Sequence, residues 1–113
     1  MSLRGLGIKT LDDVSVANAV VGVRVDFNSP VDPATKKLLD DSRIRAHAET
    51  TLRELVEKRA RVVVLSHQGR KGDPDFTSLR EHAERLASLL PTRVYFVDDI
   101  FGERAVSSIR SLK

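Results

Sequence analysis

VVVLSHQGR, residues Val62–Arg70, is the stretch of this sequence that decides the fold. It opens with an uninterrupted apolar run, Val62–Leu65, which is typical of a strand that is buried on both faces of a parallel sheet. The run ends abruptly in a hydroxyl, an imidazole, an amide, a glycine and a guanidinium. A core strand that stops in such a cluster predicts a binding surface at its carboxyl end.

The residues before this run predict a strand and a helix. VVGVRVDF, Val20–Phe27, is valine-rich and partly alternating, which indicates a strand. Ser29–Asp41 carries two prolines and is expected to form a loop or hairpin. Ser42–Lys58 has helical periodicity. The residues on the predicted buried face are Ile44, Ala48, Thr51 and Leu55, with Leu52 and Val56 at its edge.

The residues after the run predict a second helix. Ser66–Thr77 is expected to be a polar loop. Ser78 and Glu81 have the spacing of a capping box, which predicts the start of a helix, and Pro91 ends it. The residues on its apolar face are Leu79, Ala83, Leu86 and Leu90. We expect His47 and His82 on exposed or intermediate helix faces and assign them no role.

The remaining elements complete a repeating pattern. Arg93–Val97 predicts a third strand and Gly102–Leu112 a third helix. The order β-α-β-α-β-α predicts an α/β fold, a three-layer Rossmann-like parallel sheet with helices on both faces. Three strands are few for such a sheet, and the sequence stops where a further strand would follow. We therefore expect residues 1–113 to be part of a truncated domain.

Composition narrows the classes of function. The chain has no cysteine, which excludes disulfides and thiolate metal sites, and no apolar run long enough to span a membrane. The net charge is +3, but the cations are interleaved with acids rather than forming a basic block. We therefore expect no membrane or nucleic-acid partner and a cytoplasmic protein. Asp98 and Asp99 are adjacent carboxylates with no histidine following, so we expect no metal site.

Polar side chains follow each predicted strand. The residues at these three ends are Asp26 and Asn28, then Ser66, His67, Gly69 and Arg70, then Asp98 and Asp99. In open parallel sheets, ligands bind beyond the carboxyl ends of the strands. The sequence therefore predicts that the three clusters converge on one binding rim.

Arg43 and Arg45 lie in the first turn of the first predicted helix, where the helix dipole disfavours cations. One interpretation is that Asp40 and Asp41 offset this charge. The other is that an anion binds between Arg43 and the helix N-terminus. The sequence does not decide between them.

Several segments together resemble the phosphoglycerate kinase family. They are RVDFNSP (Arg24–Pro30), DSRIRAH (Asp41–His47), VVVLSHQGR (Val62–Arg70), DFTSL (Asp75–Leu79) and FVDDIFG (Phe96–Gly102). The forms SHQGR and DFTSL are similar to the archaeal branch. The family transfers a phosphoryl group between 1,3-bisphosphoglycerate and ADP in glycolysis, with an N-terminal domain that binds phosphoglycerate and a C-terminal domain that binds the nucleotide.

The resemblance implies a role for each matched residue. The substrate-binding residues it implies are Asp26, Phe27, Asn28, Arg43, His67, Gln68, Gly69 and Arg70, and Arg43 is also implied to be catalytic through its charge on the transferring phosphoryl group. It further implies that 3-phosphoglycerate or 1,3-bisphosphoglycerate is the ligand and that Mg-ATP or Mg-ADP binds a C-terminal domain absent from these residues. We therefore expect this chain alone to bind no cofactor and to be inactive.

Two observations qualify this resemblance. Lys71 stands where many family members carry proline, and further substrate arginines of the family fall outside these residues. An alternative hypothesis is a free-standing phosphate- or anion-binding α/β module without catalysis. That module would need only the arginines, whereas the family also requires the Asp26–Asn28 pair and the His67–Arg70 loop.

Overall fold

The chain is an α/β fold with a parallel sheet, as predicted. In the computed structural model, residues 7–112 are described; the first six residues and Lys113, which we had included in the predicted domain, lie outside them. The elements in chain order are a 3₁₀ turn Leu11–Asp13, β1 Val20–Arg24, α1 Ser42–His47, a π-turn Ala48–Leu52, α2 Arg53–Glu57, β2 Arg61–Leu65, α3 Arg80–Leu89 and α4 Glu103–Arg110.

Strands β1 and β2 pair in parallel, so their carboxyl ends meet at one edge of the sheet. Val20 lies opposite Arg61, and Arg24 lies opposite Leu65. Strand β1 ends before Phe27, which is earlier than predicted. The reason is a change of partner, since the Phe27 N–H donates to the Ser66 side-chain oxygen at 3.0 Å rather than to a strand carbonyl.

The prediction of a third strand at Arg93–Val97 was wrong. Within residues 7–112 the sheet has two strands, and this segment is in neither. A strand needs a neighbouring strand for its backbone hydrogen bonds. The segment packs the Val94 side chain against the core instead, without joining β1 or β2. The apolar pattern of this segment therefore corresponds to the partial burial of Val94 and not to a strand.

The first predicted helix exists, but a π-turn interrupts it and changes its buried face. Ala48–Leu52 forms the wider turn, in which each residue advances by a smaller angle than in an α-helix. Leu52 consequently turns into the core, where it is 1% exposed. Thr51, predicted on the buried face, is exposed, so that part of the prediction was wrong.

Helix α3 does not begin with the predicted capping box. The Ser78 hydroxyl accepts from the Arg80 N–H, but the Glu81 carboxylate accepts from the Leu38 N–H at 3.0 Å, across the loop that follows β1. The Ser29–Asp41 segment is a short hairpin as expected, with an antiparallel bridge between Val31 and Leu38. Glu81 thus connects α3 to this hairpin, because its carboxylate is the hydrogen-bond acceptor for the Leu38 N–H.

The core lies between the sheet, the first helix and α3. Its most buried members include Phe27, Ile44, Ala48 and Leu86, and α3 packs against α1 and the π-turn. This packing holds the backbone just beyond β1 against the rest of the molecule. None of the helices in residues 7–112 has both the length and the apolar character needed to cross a bilayer.

Replacing Leu52 by alanine should destabilise the chain by about 2–5 kcal/mol, because it removes a buried side chain and leaves a cavity. Thr51→Ala is the matched control, since it lies next to Leu52 on the solvent side of the π-turn, and it should change the unfolding free energy by no more than about 0.5 kcal/mol. Urea denaturation measures both. A larger effect at Thr51 would mean that the helix has the uninterrupted α-helical register.

Candidate functional site

An open polar cleft of about 310 Å³ lies at the carboxyl ends of β1 and β2. The residues that line it are Asp26, Asn28, Arg43, His67, Gly69, Arg70, Asp73 and Asp75. They come from the segment after β1, from the first turn of α1 and from the loop after β2. Parallel pairing brings two of these groups together, and packing of α1 against the core adds the third.

Asp26 is the carboxylate that the segment after β1 contributes to the cleft. One of its carboxylate oxygens accepts from the Asn28 N–H at 3.0 Å, and the other accepts from Arg43 Nη1 at 2.8 Å. The hydrogen bond from the Asn28 N–H lowers the pKa of Asp26 most; burial opposes it, and the Arg43 guanidinium lowers the pKa further, so that it lies below its ordinary value. Asp26 is therefore an anion at neutral pH.

Asn28 joins the two strand-end segments directly. Its side-chain oxygen accepts from the Gly69 N–H at 2.7 Å, which connects the segment after β1 to the loop after β2. Because its oxygen is engaged in this bond, the amide NH₂ of Asn28 is the part that can donate to a ligand in the cleft.

Gly69 is the residue that allows this close approach. Its φ is +63°, in the left-handed region that glycine adopts without steric cost. A Cβ at this position would lie 2.6 Å from Asp75 Oδ1 and 2.8 Å from the Phe76 nitrogen. The loop therefore needs glycine both for its conformation and for the space beside Asp75.

The structure separates the roles of the two arginines at the start of α1. Arg45 Nε donates to Asp41 Oδ1 at 3.3 Å, and the Ser42 N–H donates to Asp40 at 3.1 Å. For Arg45, the interpretation that nearby acids offset its charge is therefore the correct one, because Asp41 binds its side chain. Asp40 accepts from the N–H of Ser42, the first residue of the helix. Arg43 points the other way, toward Asp26 in the cleft.

The cleft has mixed charge. Three carboxylates, those of Asp26, Asp73 and Asp75, face two guanidinium groups and one imidazole. A ligand that carried only negative charge would be repelled by the carboxylates. The arrangement suits a ligand with anionic groups for the arginines and hydroxyl donors for the acids.

Comparison with known proteins identifies the family. The family model described as phosphoglycerate kinase matches residues 11–113, which is most of the chain. The chain belongs to the phosphoglycerate kinase family.

Archaeal phosphoglycerate kinases are among the relatives that this chain is similar to. That of Methanothermobacter thermautotrophicus is 51% identical over 104 residues, covering 92% of this chain and 25% of the relative. That of Sulfolobus acidocaldarius is 50% identical over 107 residues, covering 95% of this chain and 26% of the relative. The chain thus spans about a quarter of the length of the relatives that it matches.

Solved phosphoglycerate kinase structures have the same fold over the matched region. The crystal structure from Pyrococcus horikoshii OT3 superposes with a TM-score of 0.87 at 39% identity, over 94% of this chain and 25% of that one. The structure from Coxiella burnetii gives a TM-score of 0.60 at 31% identity, over 69% of this chain and 20% of that one. The archaeal character indicated by SHQGR and DFTSL agrees with the archaeal relatives and with the Pyrococcus horikoshii structure.

Six of the eight residues implied by the phosphoglycerate kinase resemblance line the cleft. The two whose side chains do not are Phe27, 3% exposed, and Gln68, 2% exposed. Phe27 packs in the core with its ring 5.7 Å from that of His47. Gln68 lies beneath the cleft, where it binds backbone groups, so the contribution of both side chains is to shape the site.

Asp98 and Asp99 do not join this rim. Asp99 accepts from the Ala105 and Gly102 N–H groups at 3.0 and 3.1 Å and so caps α4. The bond from Ala105 above all, and then that from Gly102, lowers the pKa of Asp99 against the opposing effect of burial. Asp98 lines a second, separate cleft beside Arg104. The predicted convergence therefore holds for the first two clusters except Ser66, which accepts from the Phe27 N–H instead, and was wrong for the third.

Sequence reasoning missed three residues that matter here. Asp73 and Asp75 line the cleft, but their loop carries no periodic signal that would have placed them there. His82 was expected to be exposed or intermediate and is 1% exposed, so that prediction was wrong. Its spacing from Leu79 and Leu86, three and four residues, is that of one helix face and could have indicated burial. No group of three or more potential metal ligands occurs among the described residues.

Gly69→Ala should distort the cleft far more than Gly72→Ala. Both glycines have positive φ, +63° and +96°, but an added Cβ meets the Asp75 loop only at Gly69 and nothing within 4 Å at Gly72. Two-dimensional amide NMR should show large shifts at Asn28 and loss of the Gly69–Asn28 hydrogen bond for the first variant alone. Equal shifts in the two variants would mean that φ strain, and not the close approach, is what requires glycine.

Proposed function

We propose that this chain supplies the phosphoglycerate-binding part of a phosphoglycerate kinase. That enzyme moves a phosphoryl group between 1,3-bisphosphoglycerate and ADP, giving 3-phosphoglycerate and ATP, in glycolysis. The observation that carries the proposal is the convergence of Asp26, Asn28, Arg43, His67 and Arg70 on one cleft. Residues 1–113 then form an incomplete N-terminal domain, and the nucleotide domain belongs to the larger protein.

The dimensions of the molecule support membership in a larger domain. Its radius of gyration is 15.5 Å, whereas a compact domain of 100 residues has about 13 Å. The most exposed large apolar side chains are those of Phe101, 88%, and Ile100, 74%. Relatives about four times as long contain enough chain to cover such side chains.

The cleft fits the chemistry of phosphoryl transfer. That reaction depends on positioning and on electrostatic stabilisation rather than on a covalent group of the protein. In this proposal, His67 and Arg70 bind the substrate's non-reacting phosphate by charge-assisted hydrogen bonds. Arg43, in the first turn of α1, would orient the acceptor carboxylate and meet charge on the transferring group.

The acids of the cleft select the class of ligand. Asp26 remains ionised, so it favours a ligand hydroxyl that donates to it, and Asn28 offers its NH₂ beside it. The 2-hydroxyl of 3-phosphoglycerate provides this donor, whereas inorganic phosphate has no carbon-borne hydroxyl and no carboxylate. The mixed charge of the cleft thus favours binding of a hydroxylated phospho-acid over binding of a simple anion or a polyanion.

The nucleotide and its magnesium ion belong elsewhere in this proposal. Mg-ATP or Mg-ADP would bind the C-terminal domain, so the 113-residue chain alone would bring no donor in line with the acceptor and would be inactive. The family's place in glycolysis supports a cytoplasmic location for the whole enzyme.

The 113-residue chain should bind 3-phosphoglycerate weakly and more tightly than inorganic phosphate. The reason is that the carboxylates of the cleft need a hydroxyl donor, and exposed charges are screened over about 8 Å at physiological salt. Amide NMR of the labelled chain, titrated with 3-phosphoglycerate, phosphate or duplex DNA, measures this. Shifts should cluster at the five cleft residues named above.

Arg45→Ala is the control for this titration, because Arg45 lies on the same helix turn but binds Asp41 away from the cleft. It should leave the shifts unchanged, whereas Arg43→Ala should reduce them. Equal responses to all three ligands would contradict the proposal and leave a generic anion-binding module. A response to DNA alone would point to a nucleic-acid protein.

In the complete kinase, Arg43→Ala should lower turnover much more than substrate affinity. This arginine meets charge that develops during transfer, so its loss should cost the transition state about 2.7–4 kcal/mol, as for other stabilising donors. His67→Ala should mainly raise the Michaelis constant. Steady-state kinetics with Arg45→Ala as control separates the two, and an unchanged turnover in Arg43→Ala would contradict its role.

A further inference from the structure

Helix α3 carries a buried imidazole that the proposed function does not use. His82 is 1% exposed, and its Nε2 lies 2.9 Å from Gln68 Oε1, directly beneath the loop that forms one wall of the cleft. Within the described residues, its Nδ1 has no hydrogen-bond partner. Buried polar groups in proteins almost always form hydrogen bonds, so the contact of Nε2 with Gln68 is the interaction that accounts for this buried ring.

The backbone fixes which atom of Gln68 faces the histidine. The Ser29 N–H donates to Gln68 Oε1 at 2.9 Å, and Gln68 Nε2 donates to the Ser29 and Asp75 carbonyls at 2.9 and 3.2 Å. A backbone N–H can only donate and a carbonyl can only accept, so the amide cannot be turned over. His82 therefore faces an acceptor, and its Nε2 must carry the proton.

With this proton in place, every polar atom of Gln68 is used. Its oxygen accepts from Ser29 and His82, and its NH₂ donates to two carbonyls. The side chain thus joins the segment after β1 to the loop after β2. The next residue, Gly69, donates to Asn28. The position of Gln68 therefore sets the distance between the two walls of the cleft.

We infer that His82 is a positioning residue of the cleft, whose Nε2–H holds Gln68 in the orientation that joins the two strand-end loops. The role in ligand binding rests on the proposed function, whereas the role in holding the loops does not. His82 touches no ligand in this scheme; it acts through Gln68 on Ser29 and on Gly69.

The environment of His82 keeps the ring in the neutral form that this role needs. Burial lowers its pKa, and the neighbouring Glu81 carboxylate opposes that effect only in part. A charged ring would place a second N–H, at Nδ1, where the described residues offer no acceptor. The neutral ring instead has one donor, and the geometry assigns it to Nε2.

Three variants separate positioning from simple packing. His82→Phe keeps an aromatic ring but removes the donor, and His82→Gln keeps an amide donor in its place. Leu86→Ala is the matched control, because Leu86 is one turn further along α3, is 3% exposed, and makes no hydrogen bond to the network. All three are made in the 113-residue chain, and amide hydrogen exchange is followed by NMR.

The reporter is the Ser29 N–H, and the reference is the Val25 N–H, which donates to Leu65 outside the network. His82→Phe should speed exchange at Ser29 about tenfold relative to Val25, the effect of one lost hydrogen bond. His82→Gln should restore most of the protection. Leu86→Ala should speed both amides by the same factor, because it lowers stability without changing the network.

The same samples titrated with 3-phosphoglycerate test the link to binding. His82→Phe should weaken binding several-fold and His82→Gln should not. If the unmodified chain failed to bind 3-phosphoglycerate, the proposed function would fall, while exchange at Ser29 would still decide whether His82 holds the loops.

The inference is overturned if His82→Phe speeds Ser29 and Val25 equally, as Leu86→Ala does, since His82 would then only fill space. If a variant does not fold, the protonation of the His82 ring in the unmodified chain still tests the inference. The imidazole ¹⁵N spectrum should show a neutral ring protonated at Nε2, and a ring protonated at Nδ1 would contradict the assignment.

Discussion

The parallel register of β1 and β2 is the constraint on which the site depends. Pairing of Arg24 with Leu65 makes both chains leave the sheet at the same edge, so the segments that follow start side by side. A shift by one residue would turn every side chain of a strand to the other face. The Asn28 amide would then no longer meet Gly69, and the cleft would lose the bond that closes it. The short apolar strands are thus part of the site although none of their side chains reaches it.

Beneath the cleft, this constraint is transmitted through a buried polar network rather than through apolar packing. An unsatisfied buried amide is costly, so Gln68 is stable only where all of its partners are present. Ser29, Asp75 and His82 come from three separate segments, and each must be in place for the amide to be satisfied. This dependence makes the orientation of the loop after β2 specific, which apolar contacts of the same area would not do.

The sequence predicted the elements whose pattern reflects local physics. The apolar run VVVL, Val62–Leu65, predicted β2, which the structure shows at Arg61–Leu65, and polar residues after β1 and β2 meet as expected. It failed where tertiary contacts decide the outcome. Glu81 has the spacing of a helix cap but binds the distant Leu38, and the wider turn at Ala48–Leu52 moves Thr51 to solvent. Arg93–Val97 has strand-like composition without a neighbouring strand. None of these outcomes is encoded in the residues of the segment alone, since each depends on what lies opposite.

The cleft combines a buried hydrogen-bond network beneath it with an exposed ion pair at its surface. Gln68 is buried and bonded to the backbone of Ser29 and Asp75, and the buried His82 is bonded to Gln68. Arg43 and Asp26, in contrast, form an ion pair whose side chains are 54% and 59% exposed. Exposed pairs of this kind contribute little to stability, because solvent screens them and ordering long side chains opposes them. Arg43 can therefore leave Asp26 for an arriving anion at small cost, and the released carboxylate can then accept from a ligand hydroxyl. The same exchange satisfies both partners of the broken pair, so a ligand with an anionic group and a hydroxyl is favoured over one that offers only charge.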